Sequence, residues 1–156
     1  MSPQALERFS DLPAWQAMLD RHRGLFAGML PGSRIGILPR SATNLLPGRR
    51  LAGLAAIELP EGRMLAWETR EEGVQAGYRS CLRFEEAQVD LLLVPDDAAL
   101  EAILAALGGD ALAVMKKMIR QGRMLFFVMK AKHELQEAGY EDFLDSLGLA
   151  FLGACR

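Results

Sequence analysis

The chain has 156 residues, of which 51% are apolar and 24% charged, and its formal net charge is −2. These values are typical of one folded domain over residues 1–156 and exclude a wholly disordered chain. The nearly balanced charge supplies no overall positive field, so we expect no nucleic-acid partner. No apolar run approaches the roughly 20 residues that span a bilayer. Two cysteines form neither a disulfide framework nor a metal motif. We therefore expect a cytoplasmic, bacterial protein with reduced thiols and no transmembrane segment, and we interpret the excess of arginine over lysine as the codon bias of a GC-rich genome.

An amphipathic helix is predicted within residues 1–30. Asp11 can cap its N-terminus, and Pro13 suits its first turn. Apolar residues then recur at helical spacings and form one stripe: Leu12, Trp15, Met18, Leu19 and Phe26. Pro31 ends this helix. The stretch 31–50 is rich in proline and glycine, with one short apolar piece at 34–38, and we interpret it mainly as a loop.

Short apolar segments separated by turn signals follow in the middle of the chain. They cover residues 51–59, 64–69, 74–82 and 89–94. Pro60-Glu61-Gly62 and Glu71-Glu72-Gly73 stand between the first three and are typical turn sequences. Short segments of this kind without helical periodicity predict an antiparallel strand meander.

Helices dominate the last third of the chain. Asp96 or Asp97 can cap an apolar helix at 98–107, and Asp110 can cap an amphipathic helix at 111–121 that Gly122 ends. Residues 123–130 form either a strand or a continuation of the helix, and Phe126, Phe127 and Val128 favour the strand. Helices at 132–139 and 141–147 follow. The sequence therefore predicts an α+β fold: an antiparallel sheet of about five strands with helices packed on one face.

Few side chains are suited to catalysis or to metal binding. His22 has no nucleophile or carboxylate at a helical partner spacing, and His133 has only Glu137 as a possible second donor, so both are interpreted as surface residues. Cys81 is flanked by arginines but has no histidine nearby, which favours a structural thiol. Pro47-Gly48-Arg49-Arg50 resembles no Walker loop and is interpreted as a solvated turn. We expect no catalytic residue, no metal and no cofactor.

The order of elements resembles the sterol carrier protein type two family between about residues 51 and 143. The matching stretches are Val89-Asp90-Leu91-Leu92-Leu93-Val94, the helix opened by Asp96-Asp97, and Gln121-Gly122-Arg123-Met124. The family usually has a second glycine followed by a polar residue shortly afterwards, where this chain has Phe127-Val128-Met129. The resemblance implies an apolar tunnel for fatty-acyl, isoprenoid or sterol-like ligands, a carrier role and no catalysis.

Two functions from different classes remain open. The first is non-enzymatic binding of a long apolar ligand by a shared apolar volume lined by Leu100, Leu104, Met115, Met118 and Phe126. Arg49, Arg50 or Arg123 would then pair with a carboxylate or phosphate at the mouth. The second is an interaction or regulatory module with a filled core, which binds a protein partner or a second copy. Its apolar C-terminal face would consist of Phe143, Leu147, Leu149, Phe151 and Leu152.

Overall fold

A five-stranded sheet forms the centre of the computed structural model, which describes residues 11–40, 63–80 and 88–149. The strands are β1 (Arg34–Ile37), β2 (Arg63–Arg70), β3 (Gly73–Ser80), β4 (Leu91–Pro95) and β5 (Met124–Val128). The helices are α1 (Leu12–Arg21), α2 (Arg23–Phe26), α3 (Asp97–Ala105), α4 (Ala111–Arg120), α5 (Lys132–Glu137) and α6 (Glu141–Ser146). The predicted α+β class with a five-stranded sheet is confirmed. No helix in the described part of the chain is long and apolar enough to cross a membrane.

The strand order is β3-β2-β1-β4-β5, and β1 pairs with β4 in parallel while the other neighbours are antiparallel. The sequence predicted only antiparallel pairs and placed residues 34–37 in a loop, so both predictions need correction. The reason is local. A four-residue strand close to two prolines gives too short an apolar pattern to stand out. The β2–β3 hairpin occupies one side of β1. The chain after β3 must therefore cross over so that β4 can pair with the free edge of β1.

All described helices contribute to one core, on one face of the sheet. This main cluster contains Ile35, Ile37, Leu65, Trp67, Leu91 and Leu93 from the strands, together with buried side chains of α1 to α6. Its largest members are aromatic. The ring centroids of Trp15 and Trp67 lie 6.0 Å apart, and those of Trp67 and Phe143 lie 6.1 Å apart in an edge-to-face arrangement at 82°. The packing of helices on one face is as predicted.

A second, smaller apolar cluster lies on the opposite face of the sheet. It contains Leu38, Met64, Val89, Leu92 and Val94. Leu91 to Val94 are fully buried, alternately in the two clusters. A strand buried on both faces has no need of alternating polar residues, which explains why β4 is the most apolar strand of the sequence.

The predicted helix caps are present at three aspartates. Asp11, Asp96 and Asp110 each accept a hydrogen bond from the backbone amide three residues later, at 3.2, 2.8 and 3.1 Å. The N-terminal helix is divided, because α1 ends at Arg21 and α2 begins at Arg23 with His22 between them. The predicted strand at 51–59 and the turn at 47–50 lie outside the described residues, as do Cys81 and Cys155.

Candidate functional site

The side chains predicted to share one apolar volume lie in the main core. Leu100, Leu104, Met115 and Met118 are between 0% and 8% exposed, and Phe126 is partly buried against the same cluster. The predicted burial is therefore confirmed for the first four, Phe126 is only half-buried, and contact of all five with a ligand stays a prediction. Arg49 and Arg50 lie outside the described residues.

Arg123 is exposed at the start of β5, directly after the helix that carries Met118. Its backbone amide donates a hydrogen bond of 2.9 Å to the carbonyl of Met118. The backbone of Arg123 is therefore close to Met118, and pairing of its side chain with a ligand head group stays a prediction. It does not line the cleft described next.

A half-open cleft of about 420 Å³ lies between α2 with its following loop and the β2–β3 hairpin. Its volume is within the range of ligand sites, about 300–1,000 Å³. Arg23, Phe26, Ala27, Met29 and Pro31 line one side, and Thr69, Arg70, Glu71, Glu72, Gly73 and Val74 line the other. The cleft thus joins two parts of the chain that are about 40 residues apart.

The floor of the cleft is apolar and continuous with the main core. Phe26, Met29 and Val74 are 3% to 5% exposed and belong to the same cluster as the predicted set. The hydroxyl of Thr69 lies 3.7 Å from the sulfur of Met29 and donates to it. Methionine is flexible and polarisable, so this floor can adapt to an apolar group.

Backbone hydrogen bonds fix the wall formed by the loop after α2. The amide of Leu30 donates to the carbonyl of Ala138 at 2.9 Å. The amide of Gly32 donates to the carbonyl of Thr69 at 2.8 Å, and the amide of Thr69 donates to the carbonyl of Ser33 at 2.9 Å. The wall is therefore held against both the α5–α6 turn and the C-terminal end of β2, and the cleft is largely preformed.

The rim of the cleft is charged. Arg23, Arg70, Glu71 and Glu72 are all exposed. The guanidinium of Arg70 lies 3.8 Å from the carboxylate of Glu68. The ion pairs among the described residues do not include Arg23. A more open depression of about 380 Å³ continues from this rim past Pro31, Gly32 and Glu68. An apolar floor below a charged rim suits an amphipathic molecule.

A buried polar network ties the sheet to the α5–α6 turn. The Tyr140 hydroxyl donates a hydrogen bond of 2.6 Å to Asp90 Oδ2, and the amide of Arg34 donates to the same oxygen at 3.1 Å. Lys130 Nζ lies 3.2 Å from Asp90 Oδ1. Burial, followed by the hydrogen bond to Asp90, raises the pKa of Tyr140 far above its usual value. Every oxygen of this carboxylate has a donor, so we interpret the network as structural.

The histidines do not form a site. His133 is exposed on α5, as predicted. His22 was expected on the surface but is half-buried between α1 and α2, and its Nε2 has no hydrogen-bond partner among the described residues. In the described part of the chain, no group of three or more His, Cys, Asp or Glu side chains could hold a metal ion.

Comparisons with known proteins give little guidance. No family model matches the sequence, and no curated protein is similar to it. A solution structure of a conserved hypothetical protein from Thermus thermophilus, a candidate sterol carrier protein, is similar to this chain with a TM-score of 0.39 and 12% identity. The match covers 90% of this chain and 83% of that protein.

Proposed function

We propose that this protein binds an amphipathic small molecule without transforming it, and that the apolar part of the ligand lies in the cleft beside the β2–β3 hairpin. The observation that carries the proposal is the preformed cleft of about 420 Å³ with an apolar floor and a charged rim. The family resemblance of the sequence agrees with this proposal and suggests a fatty-acyl, isoprenoid or sterol-like chain.

Apolar contact supplies the affinity in this proposal. Phe26, Met29 and Val74 offer the floor, and each methylene transferred from water contributes about 0.8 kcal/mol. Two further carbons in an acyl chain should therefore tighten binding roughly tenfold, until the cleft is full. A longer chain could extend only by displacing core side chains, and the predicted set around Leu104 and Met115 lies in that same core.

The rim would hold the charged group of the ligand. Arg23 lines the α2 side of the cleft, so a carboxylate or phosphate at the rim could accept hydrogen bonds from its guanidinium. Glu71 and Glu72 on the β2–β3 hairpin would disfavour a second negative charge nearby. The chemistry of the lining supports binding rather than turnover, because the hydroxyl of Thr69 already donates to the sulfur of Met29.

The alternative interaction module loses part of its basis. Phe143 and Leu147 are 0% and 1% exposed in the main core, so they cannot form an exposed C-terminal face. Leu149 is partly buried against the same core, and Phe151 and Leu152 lie outside the described residues. The prediction of an exposed apolar face from these residues is therefore wrong for its two buried members. The cause is the α6 helix, which turns both side chains toward the sheet.

A blocking substitution tests the proposal without disturbing the core. Ala27 is exposed and lines the cleft, so Ala27→Trp should fill the space above the floor. Ala113→Trp on α4 is the matched control, since Ala113 is also exposed but does not line the cleft. The measurement is displacement of a fluorescent fatty acid by saturated acids of increasing length. We expect at least a tenfold loss of affinity in Ala27→Trp and an unchanged affinity in Ala113→Trp.

Two outcomes would overturn the proposal. One is the absence of saturable binding at any chain length, with no lipid copurified from the host by native mass spectrometry. The other is equal binding by wild type and Ala27→Trp, which would place the ligand elsewhere in the molecule.

A further inference from the structure

The face of the sheet opposite the helices carries a second, polar depression of about 200 Å³. Gly36, Ala66 and Gly77 lie next to one another across β1, β2 and β3, so this row has almost no side chain. The depression is lined by Ala66 and Gly77 together with Glu68, Arg70, Gln75, Ala76, Tyr78 and Arg79. It shares Arg70 with the lining of the cleft but lies on the other face of the sheet. We refer to it as the trough.

Positive charge exceeds negative charge around the trough. Arg34, Arg70 and Glu68 occupy the same face, because β1 pairs with β2 in a register that places Arg34 opposite Glu68. The carboxylate of Glu68 is shared, at 3.5 Å from the guanidinium of Arg34 and 3.8 Å from that of Arg70. Arg79 lies two residues beyond Gly77 on β3, where it pairs with Met64 of β2. Two guanidinium groups thus share the carboxylate of Glu68, and the third, that of Arg79, has no ion-pair partner among the described residues.

Two of these guanidinium groups have buried nitrogen atoms without acceptors. The Nε atoms of Arg34 and Arg79 are inaccessible to solvent and donate to no hydrogen-bond acceptor among the described residues. A buried donor without an acceptor is uncommon in folded proteins and costly, more so when the group is charged. Arg79 forms no ion pair among the described residues, so a carboxylate or phosphate in the trough would be an acceptor for the part of its guanidinium that lines the trough.

We infer that the trough binds a small oxyanion, a carboxylate or phosphate group, with Arg79 as its principal ligand and Gln75 and Arg70 as further donors. The planar guanidinium matches the two oxygens of either group. The volume suits an anion of a few heavy atoms better than an acyl chain. This inference does not depend on the cleft, since the residue that carries it, Arg79, does not line the cleft.

The test is an amide NMR titration of the full chain with inorganic phosphate, with succinate as the carboxylate arm, at ionic strength held constant with sodium chloride. We expect saturable chemical-shift changes in the amide signals of Ala66, Gly77 and Arg79 with phosphate, with succinate or with both. Arg79→Gln should weaken binding about tenfold. Arg120→Gln, which removes an exposed charge on α4, should leave binding unchanged.

A second variant keeps every charge and fills the space. A Cβ at Gly77 would meet no atom within 4 Å, and its backbone is not in a conformation reserved for glycine, so Gly77→Val should fold. It should weaken phosphate and succinate binding as strongly as Arg79→Gln. Shifts that never saturate, or saturable binding that survives both variants, would overturn the inference and indicate only a general response to anions.

Discussion

Gly139 and Gly122 provide a matched pair of substitutions that tests how the cleft wall is held. Both follow the C-terminus of a helix, with φ of +86° and +73°. In both, the next amide donates to the carbonyl five residues earlier: Tyr140 to Leu135 at 3.1 Å and Arg123 to Met118 at 2.9 Å. This is the Schellman arrangement, in which a residue with a side chain is strained. The two glycines therefore differ chiefly in their surroundings.

A methyl group at the two positions would meet very different neighbours. At Gly122 it would find no atom within 4 Å. At Gly139 it would collide with the carbonyl oxygen of Gly28 and lie 2.6 Å from the carbonyl carbon and 3.0 Å from Met29 Cα. These are backbone atoms of the cleft wall, which cannot rotate away. Alanine at position 122 should cost about 1–2 kcal/mol from the left-handed backbone alone. At position 139 we add about 1–3 kcal/mol for the forced displacement.

Urea unfolding followed by circular dichroism measures both losses. Gly139→Ala should be less stable than Gly122→Ala by about 1–3 kcal/mol, and it should also weaken fatty-acid binding because Met29 moves with the wall. Equal losses of stability, or an unchanged affinity in a destabilised Gly139→Ala, would refute the reasoning that this turn holds the cleft in shape.

Three further substitutions test the core and the buried network. Met118→Ala should lower the free energy of unfolding by about 2–5 kcal/mol in chemical denaturation, and a much smaller loss would indicate that space already exists around Met118. Tyr140→Phe should cost about 1–3 kcal/mol at neutral pH, because Asp90 loses a donor. Folding raises the pKa of Tyr140, so above pH 10, the usual pKa of tyrosine, the unfolded chain loses this proton more readily than the folded one and wild type should lose stability. Unfolding curves between pH 8 and 11 should show that loss in wild type and not in Tyr140→Phe. Gly36→Ala would place a Cβ 2.6 Å from Met64 Sδ, so it should destabilise by about 1–3 kcal/mol in urea unfolding, and by less when combined with Met64→Ala.

The sequence predicted those elements whose signals are local. Asp110 and Gly122 mark the two ends of one amphipathic helix, and α4 begins and ends beside them. The phenylalanines at 126 and 127 favoured a strand over a helix, and β5 is a strand. Each of these signals depends only on residues that are close together in the sequence, so it can be recognised from a single sequence.

The central strand and the cleft could not be predicted in the same way. β1 is only four residues long, and its stability comes from pairing with β2 and β4, which lie far from it in sequence. The cleft forms where α2 meets the β2–β3 hairpin. Glu71-Glu72-Gly73 was recognisable as a turn, but nothing in the sequence indicates that it faces Phe26 and Met29. Asp90 within an apolar strand was the one available signal for the buried network with Tyr140.

A spin-labelled fatty acid tests most directly whether the cleft is the ligand site. Paramagnetic broadening of amide signals reports which residues lie near the label, without requiring any substitution. The proposal predicts saturable broadening at Ala27, Met29 and Val74 that an unlabelled acid reverses. Reversible broadening confined to the region of Met118 and Arg123 would contradict it and place the ligand at the end of α4 instead, and no broadening at saturating probe would remove ligand binding by this protein altogether.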